Sequence, residues 1–172
     1  MIIDDLLPDY DVSDRYGVLI DAAPEVVWDA VWTFNLCASP VVSWLFWLRG
    51  LPSDSVTFAD LDRLRFKLIG EQRRKEIVFG IIGQFWTLNG NLQDFDPAGF
   101  KDFEKDGFAK CAWSFQLLPT AEGTRLKTET RVACHDESSR NRFDFYWAFV
   151  RPFSGWTRKE MLSSIKTLSE QR

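Results

Sequence analysis

Few side chains in this sequence have the types and spacing that chemistry requires. His135 is the only histidine in 172 residues, so any mechanism that needs an imidazole base or ligand must use it. It precedes Asp136 at the end of a predicted strand, and with no nucleophile nearby the pair indicates a turn and not a catalytic triad. One histidine and three dispersed cysteines provide no spaced pair of metal ligands, so we expect reduced thiols and neither a metal nor a cofactor. The cysteines are Cys37, Cys111 and Cys134.

Charged side chains alternate with threonines on the last predicted strand. Thr128 and Thr130 share one face of this strand, and Glu129 and Arg131 share the other. We expect the threonines to face inward, while the charged side chains face outward and pair across strands. A β-bulge would reverse this parity and bring Glu129 or Arg131 into the interior, where either could contact a polar ligand.

The elements that position these side chains begin with a long apolar stripe near the C-terminus, from Ser138 to Gln171. Its members follow one another at three- and four-residue steps, which places them on one side of an α-helix. Pro152 removes one backbone hydrogen bond, but the stripe keeps its phase on both sides of it, so we predict one bent helix. Its roughly 30 residues would extend about 45 Å, a length that only a broad surface can cover. The stripe consists of Phe143, Tyr146, Trp147, Val150, Thr157, Met161, Ile165 and Leu168.

The middle of the chain predicts an antiparallel sheet that supplies this surface. Short apolar segments are separated by glycine-rich turns too short for parallel crossovers. Two short helices, Pro24 to Phe34 and Val41 to Leu48, are expected after the first strand. The predicted strands are Asp11 to Ile20, Arg65 to Gly70, Lys75 to Ile82, Gln84 to Leu88, Phe108 to Leu118 and Gly123 to Cys134.

Alternation along the last two strands predicts a sheet with one dry and one wet side. One face of the first of them is apolar, and the C-terminal helix is expected to cover it. The opposite face of the last strand carries Arg125, Lys127, Glu129 and Arg131 and is suited to water. The apolar face consists of Ala109, Cys111, Trp113, Phe115 and Leu117.

This order predicts an α+β fold in which a curved antiparallel sheet of about six to seven strands wraps around the long C-terminal helix. The chain resembles the helix-grip superfamily that includes START lipid-transfer domains, the birch-pollen allergen and bacterial polyketide cyclase-like proteins, also called SRPBCC. The resemblance is carried by the segment from Val18 to Trp28 and by the aromatic C-terminal helix, while Trp86 after Gly83 and the segment from Thr128 to Val132 resemble an uncharacterised bacterial branch of the superfamily. It implies one domain over residues 1–172, with a cavity between the sheet and the helix.

Members of this superfamily use that cavity for lipids, sterols, polyketides and other apolar molecules. The resemblance therefore implies that this chain binds a small hydrophobic or aromatic molecule there, without clear catalytic machinery. An enzyme of the cyclase or dehydratase kind is the alternative, and it would need Glu129, Tyr146, His135 or Arg131 inside the cavity. The expected ligand-contacting residues are Phe79, Trp86, Trp113, Phe115, Thr128, Thr130, Phe143, Tyr146, Trp147 and Val150.

Composition excludes some classes of partner. The net charge of -4 argues against a nucleic-acid surface, which usually carries a basic stripe. The acidic start, Met1 to Asp5, is unlike a signal peptide, and no apolar run approaches the roughly 18 residues of a membrane span, so we expect a cytoplasmic protein. A predicted helix that is apolar on all sides could still contact a membrane surface through Trp44, Phe46 and Trp47.

Overall fold

The structure is a computed structural model, and it describes residues 1–38 and 56–171. The predicted helix Val41 to Leu48, including the membrane contact expected at Trp44, Phe46 and Trp47, lies outside the described residues. Within the described ranges, no helix has both the length and the apolar character needed to cross a membrane.

Five antiparallel strands form one sheet, in the order β1-β5-β4-β3-β2. β4 and β5 pair over their whole length, so the two longest strands form the centre, and β1 and β2 form the edges. Together with one long C-terminal helix and shorter helices, this is the α+β helix-grip arrangement that the sequence predicts. The strands are β1 (Val12–Ile20), β2 (Lys67–Gln72), β3 (Glu76–Gly83), β4 (Ala109–Thr120) and β5 (Gly123–Cys134).

Among the described residues the sheet has five strands, fewer than the expected six to seven, because Gln84 to Leu88 forms a turn. The backbone N–H of Gln84 donates to the carbonyl of Gly90 at 2.6 Å. The Gln84 side chain donates to the carbonyl of Gly107, and the Thr87 hydroxyl donates to the carbonyl of Gln84, both at 2.8 Å. These local bonds satisfy groups that a strand would use in its ladder.

Two helices cover one face of the sheet, which we call the inner face. Helix α2 (Pro24–Thr33) begins with a proline in its first turn, as predicted. Helix α3 (Glu137–Glu170) is continuous through Pro152, as predicted, and packs against β1, β5 and α2. A 3₁₀ helix, Phe58–Leu64, adds to the same layer. Two shorter 3₁₀ helices span Leu36–Ala38 and Pro97–Gly99.

Asp136 caps the N-terminus of α3. Its carboxylate accepts hydrogen bonds from the Ser139 hydroxyl at 2.5 Å, from the Ser139 backbone at 3.0 Å and from the Gly107 backbone at 2.6 Å. The bonds from Ser139 and then Gly107 lower the pKa of Asp136 to about 2. His135 lies just before this cap and is exposed, so the pair starts a helix, consistent with the turn that the sequence indicates.

The other face of the sheet is partly covered, contrary to the expectation of a wet side. Residues 1–10, which show no clear hydrophobic period, contain helix α1 (Ile2–Leu6), and it lies on this outer face. The backbone of α1 is tied to the sheet, because the N–H groups of Ile2 and Ile3 donate to the buried carboxylate of Glu76. A second apolar cluster results, formed by Ile3, Leu7, Val78, Ile82, Phe100 and Ala112.

Glu129 and Arg131 face outward, as predicted, but α1 buries them. β5 keeps an unbroken register with both neighbours, so no bulge turns either side chain inward. Arg131 Nε donates to Glu129 Oε1 at 2.6 Å, and its other nitrogens reach Asp4 at 2.6 Å and the Leu7 carbonyl at 3.0 Å. Burial alone would raise the pKa of Glu129, but hydrogen bonds from Arg131 and Arg15 outweigh burial and lower it.

Candidate functional site

A row of polar side chains crosses the inner face of the sheet. Strand pairing places Asp14 of β1 opposite Thr130 of β5, and Thr130 opposite Trp113 of β4. Arg158 of α3 lies over this row, with its guanidinium 4.5 Å from the centre of the Trp113 ring. We call Asp14, Thr130, Trp113 and Arg158 the Arg158 site.

The Arg158 site separates two apolar clusters. On one side, Phe58, Phe79, Trp113 and Phe115 pack against one another, with ring centroids 4.8 to 5.8 Å apart for the pairs that include Phe58. On the other side, the first half of α3 inserts Phe143 among residues of β4 and β5. The polar row therefore lies in the middle of an otherwise apolar interface.

Arg158 makes no ion pair with any residue that the structure describes. Its Nη1 donates to the Thr130 hydroxyl, and it stacks on Trp113. Burial lowers the pKa of the guanidinium to about 10, so it stays protonated at neutral pH. Arginine provides five N–H donors, and the Thr130 bond uses one of them.

Asp14 provides a carboxylate beside this cation. Its Oδ1 lies 3.6 Å from the guanidinium of Arg151, and the side chain is 11% exposed. Its Oδ2 is buried and has no hydrogen-bond partner among residues 1–38 and 56–171. The row therefore contains both donors and an acceptor that the described residues leave unused.

Threonine and tryptophan side chains hold the row in place. Trp113 Nε1 donates to the Thr128 hydroxyl at 2.8 Å, and that hydroxyl donates to the Ser114 carbonyl at 2.9 Å. This chain fixes the ring on which Arg158 lies. Burial raises the pKa of the neighbouring Cys111 thiol to about 12, so it is protonated at neutral pH and is a poor nucleophile.

An open cleft lies between β1 and α3, next to the Arg158 site. Its volume is about 440 Å³, within the usual range for small-molecule pockets. Tyr16 lies two residues after Asp14 on the same face of β1, where it lines the cleft and is close to Arg158. The cleft is lined by Tyr16, Arg151, Pro152, Gly155, Trp156 and Lys159.

A glycine in α3 allows Tyr16 to occupy this position. A Cβ atom on Gly155 would lie 2.6 Å from the Tyr16 hydroxyl oxygen, closer than side chains tolerate. Gly155 therefore brings the helix backbone against the edge strand at the inner end of the cleft.

The residues predicted to contact a ligand fall into two groups. Phe79, Trp113, Phe115, Thr128 and Thr130 are buried on the inner face, at or beside the Arg158 site. The second group lies where the start of α3 meets the ends of β4 and β5. It consists of buried Phe143, with Trp86, Tyr146 and Trp147 packed against its cluster.

Trp86 differs from the rest of the second group, and Val150 belongs to neither group. Trp86 lies in a turn and not in the predicted strand Gln84 to Leu88, and its Nε1 is buried without a hydrogen-bond partner in the described part of the chain. Val150 is half-buried on α3. The ten positions do not form a single wall, and their contact with a ligand stays a prediction.

The groups nominated for catalysis are mostly displaced from the inner face. Glu129 and Arg131 pair on the outer face, and His135 is exposed. Of the four, only Tyr146 packs on the inner side, against the Phe143 ring. Asp14 and Arg158, two charged groups that the fold brings to the inner face, are not among the four nominated residues.

Both missed residues carry a signal in the sequence. Asp14 lies on the even positions of β1, between Val12 and Tyr16, and so shares their inward face. Arg158 is eight residues after Val150 and three before Met161, in phase with the apolar stripe of the C-terminal helix. In both cases the signal is a single charged residue at a position whose neighbours in phase are apolar and face inward.

Metal ligands are not clustered in the part of the chain that the structure describes, where no group of three or more His, Cys, Asp or Glu side chains is arranged to hold an ion. None of the three cysteines forms a disulfide bond.

Comparisons with known proteins add fold likeness only. No protein-family model matches this sequence, and no curated protein matches it. Among solved structures, the chain is similar to protein CV1439 from Chromobacterium violaceum, with 13% identity over 93% of this chain and 99% of that chain, and a TM-score of 0.43.

It is also similar to the di-domain ARO/CYC StfQ from the steffimycin biosynthetic pathway, with 13% identity, 99% of this chain covered and a TM-score of 0.42. The match covers 55% of StfQ, so this chain spans about half of that protein. A third similar structure is SA2116, a protein of unknown function from Staphylococcus aureus, with 13% identity, 96% of this chain and 99% of that chain covered, and a TM-score of 0.35. At these identities and TM-scores the likenesses support no assignment of function, and membership of the SRPBCC superfamily stays an expectation from the sequence.

Proposed function

We propose that this protein binds a small apolar or aromatic molecule between the sheet and helix α3, and that Arg158 contacts a carbonyl or acidic group of that molecule. The observation that carries the proposal is a protonated guanidinium in an apolar interface with no carboxylate paired to it among the described residues. Arg158 is half-buried, and removing a charge even partly from water is costly unless the charge is paired and hydrogen-bonded, so an unpaired cation here is a candidate for a role in binding.

The chemistry of the site favours an oxygen-bearing ligand. The planar guanidinium binds carboxylates and carbonyl oxygens through two parallel N–H donors. Asp14 Oδ2 lies in the same row and could accept a hydrogen bond from a hydroxyl or amine of the ligand. Around this polar row, the Trp113 ring and the flanking apolar clusters would contact the apolar part of the ligand.

The cleft between β1 and α3 is the route that we propose to the Arg158 site. It is open to solvent at Trp156 and Lys159 and reaches Tyr16, the residue beside Arg158. A rotation of the Tyr16 ring would join the cleft to the polar row, because no hydrogen bond to a described residue holds its hydroxyl.

The catalytic alternative now depends on other residues than those the sequence nominates. Asp14 is the inner-face carboxylate with an unused oxygen, so it would be the base of a cyclase or dehydratase in this site. Activity abolished by Asp14→Asn with unchanged ligand affinity would favour that alternative over simple binding.

Two matched dyes test the proposed contact. Anilinonaphthalene sulfonate carries an anion on an aromatic body, and N-phenyl-1-naphthylamine has the same rings without the sulfonate. We expect the wild-type protein to bind both dyes in a fluorescence titration and Arg158→Met to weaken binding of the anionic dye about tenfold, equal to about 1.4 kcal/mol. Affinity for the neutral dye should stay within about twofold, because the apolar contacts remain.

Two control variants locate the bound dye. Lys127→Met removes an exposed cation from the outer face of β5 and should leave both affinities unchanged. Phe149→Glu removes an exposed ring from the far side of α3 and should also leave them unchanged. If circular dichroism shows that both proteins are folded, and wild type and Arg158→Met bind the anionic dye equally well, Arg158 does not contact the sulfonate. Native mass spectrometry of protein from its own host would then identify the natural ligand.

A further inference from the structure

Helix α3 exposes a row of aromatic rings on the side opposite to the sheet. Phe145, Phe149, Phe153 and Trp156 are 72%, 63%, 56% and 50% exposed. Their spacing of four, four and three residues aligns them on one face of the helix, and the rings of Phe145 and Phe149 meet edge to face at 5.1 Å. We call these four residues the aromatic stripe.

The apolar area of the stripe is large for a surface in contact with water. Aromatic side chains of this kind have roughly 150–250 Å² of surface each, so four of them at these exposures leave roughly 400–600 Å² uncovered. That is the upper end of the largest apolar patch on an ordinary monomer. Two such patches pressed together would bury roughly 1,000 Å², which is the lower limit for a specific interface.

Charged residues close the stripe at both ends, with opposite signs. Arg142 lies three residues before Phe145, and Glu160 lies four residues after Trp156, so both continue the same face. Both are exposed, and neither makes an ion pair with the residues that the structure describes. Lys159 lies on one flank. The stripe itself thus carries one positive and one negative end and no net charge.

The arrangement is close to symmetric about the middle of the helix. Arg142 and Glu160 each lie nine residues from position 151, and Phe149 and Phe153 each lie two residues from it. Phe145 and Trp156 lie six and five residues from the same point. Two copies of α3 packed antiparallel across a twofold axis at this level would therefore pair Arg142 with Glu160 twice and place rings against rings. A parallel pair would bring like charges together.

We propose that the aromatic stripe is the contact between two copies of this chain, packed through antiparallel α3 helices. The mixed charges at the ends of the stripe, and the net charge of -4, suit self-pairing better than an anionic lipid surface, which attracts a cluster of cations. Trp156 also lines the cleft, so this interface borders the proposed route to the Arg158 site, but the pairing of the two helices is argued without the ligand.

A charge-swap experiment on the full chain tests this pairing. We expect analytical ultracentrifugation to find a concentration-dependent dimer for the wild type. Arg142→Glu and Glu160→Arg should each raise its dissociation constant about tenfold or more, because each places two like-charged contacts in the interface. The double variant should restore the wild-type constant within about threefold, since only the direction of each pair is reversed. Phe149→Glu should give a monomer.

Three controls make the result decisive. Arg125→Glu reverses an exposed charge on β5, and Leu88→Glu replaces an apolar side chain that is 93% exposed in a turn; both should dimerise like the wild type. Circular dichroism must show the same fold in every variant. A wild-type protein that stays monomeric at all accessible concentrations would overturn the proposal, including the case in which the stripe instead binds anionic vesicles. A dimer that persists in Phe149→Glu would also overturn it, as would a double variant whose dimer dissociation constant is no lower than those of the single variants.

Discussion

Arg131 is buried and Arg158 is half-buried, and their different partners separate structure from proposed function. Arg131 reaches the carboxylates of Glu129 and Asp4 and a carbonyl of α1, so the described contacts account for its charge. Arg158 contacts a hydroxyl and a ring. Arg131, a buried cation with carboxylate partners, joins parts of the fold. Arg158, a cation without carboxylate partners among the described residues, is available to a ligand.

Glu129 makes a testable contribution to stability in acid. Its pKa is lowered in the folded protein, so its contribution is present above the unfolded value of about 4.3 and is lost as pH falls through the folded value. We predict that Glu129→Gln costs about 2 kcal/mol of unfolding free energy at neutral pH, because Arg131 and Arg15 lose a charged acceptor.

Urea unfolding between pH 7 and pH 3 measures both effects. The loss of stability on acidification should be smaller in Glu129→Gln than in the wild type, since one group that must be protonated is absent. Glu71→Gln, on the exposed surface of β2, serves as the control and should follow the wild-type curve. Parallel curves for Glu129→Gln and the wild type would contradict the pKa argument.

At the scale of elements, the fit between α3 and β1 depends on one glycine. An alanine in place of Gly155 would gain about 1 kcal/mol from helix propensity, but its Cβ would lie 2.6 Å from the Tyr16 hydroxyl oxygen. In a Tyr16→Phe background the next atom of the ring is at 3.5 Å, an ordinary contact. We predict that Gly155→Ala stabilises the Tyr16→Phe protein by about 1 kcal/mol and gives less or no gain in the wild type.

A double-mutant cycle by urea unfolding measures this coupling. A coupling energy near zero would mean that the Tyr16 ring moves aside freely, so the helix does not hold it at the inner end of the cleft. The same cycle thus reports on the barrier between the cleft and Arg158.

The elements with clear periodicity were predictable from the sequence, and those held by local side-chain bonds were not. The stripe from Phe143 to Leu168 and the parity of β5 predict α3 and the direction of Glu129. Helix α1 is five residues long, too short for a period to be visible, so its cover over the outer face could not be predicted. Gln84 to Leu88 has strand-like composition, but hydrogen bonds from Gln84 and Thr87 fold it into a turn.

The Arg158 site was predictable only in part, because strand alternation places two of its four residues and long-range packing places the other two. Trp113 and Thr130 follow from strand alternation, because inward apolar and small polar residues fit the expected pattern. Asp14 and Arg158 violate that pattern, and residue type alone assigns them to the surface. Their inward positions depend on how α3 lies across β1 and β5, which no local segment of the chain specifies.

At the scale of the whole molecule, the sheet is covered on both faces over part of its width. All eight residues of β3 are buried, because the inner apolar cluster lies on one side of it and α1 with Phe100 lies on the other. β1 and β2 are edge strands with exposed residues along their length. Protection of the backbone should therefore be greatest in the strands between these edges.

Removing α1 tests whether this helix stabilises only the strand beneath it or the whole sheet. We predict that hydrogen exchange of the intact protein is slowest in β3, β4 and β5, and that deletion of residues 1–7 speeds exchange most in β3. The reason is that Glu76, Val78 and Ile82 of β3 lie beneath α1, where Ile3 is fully buried. Ile3→Ala should also speed exchange most in β3, but by less, and should lower the free energy of unfolding by about 2–4 kcal/mol, as for other buried aliphatic residues. Exchange that rises equally in all five strands would show that α1 contributes to global stability without a local role, and exchange that does not change would show that the outer cover is dispensable.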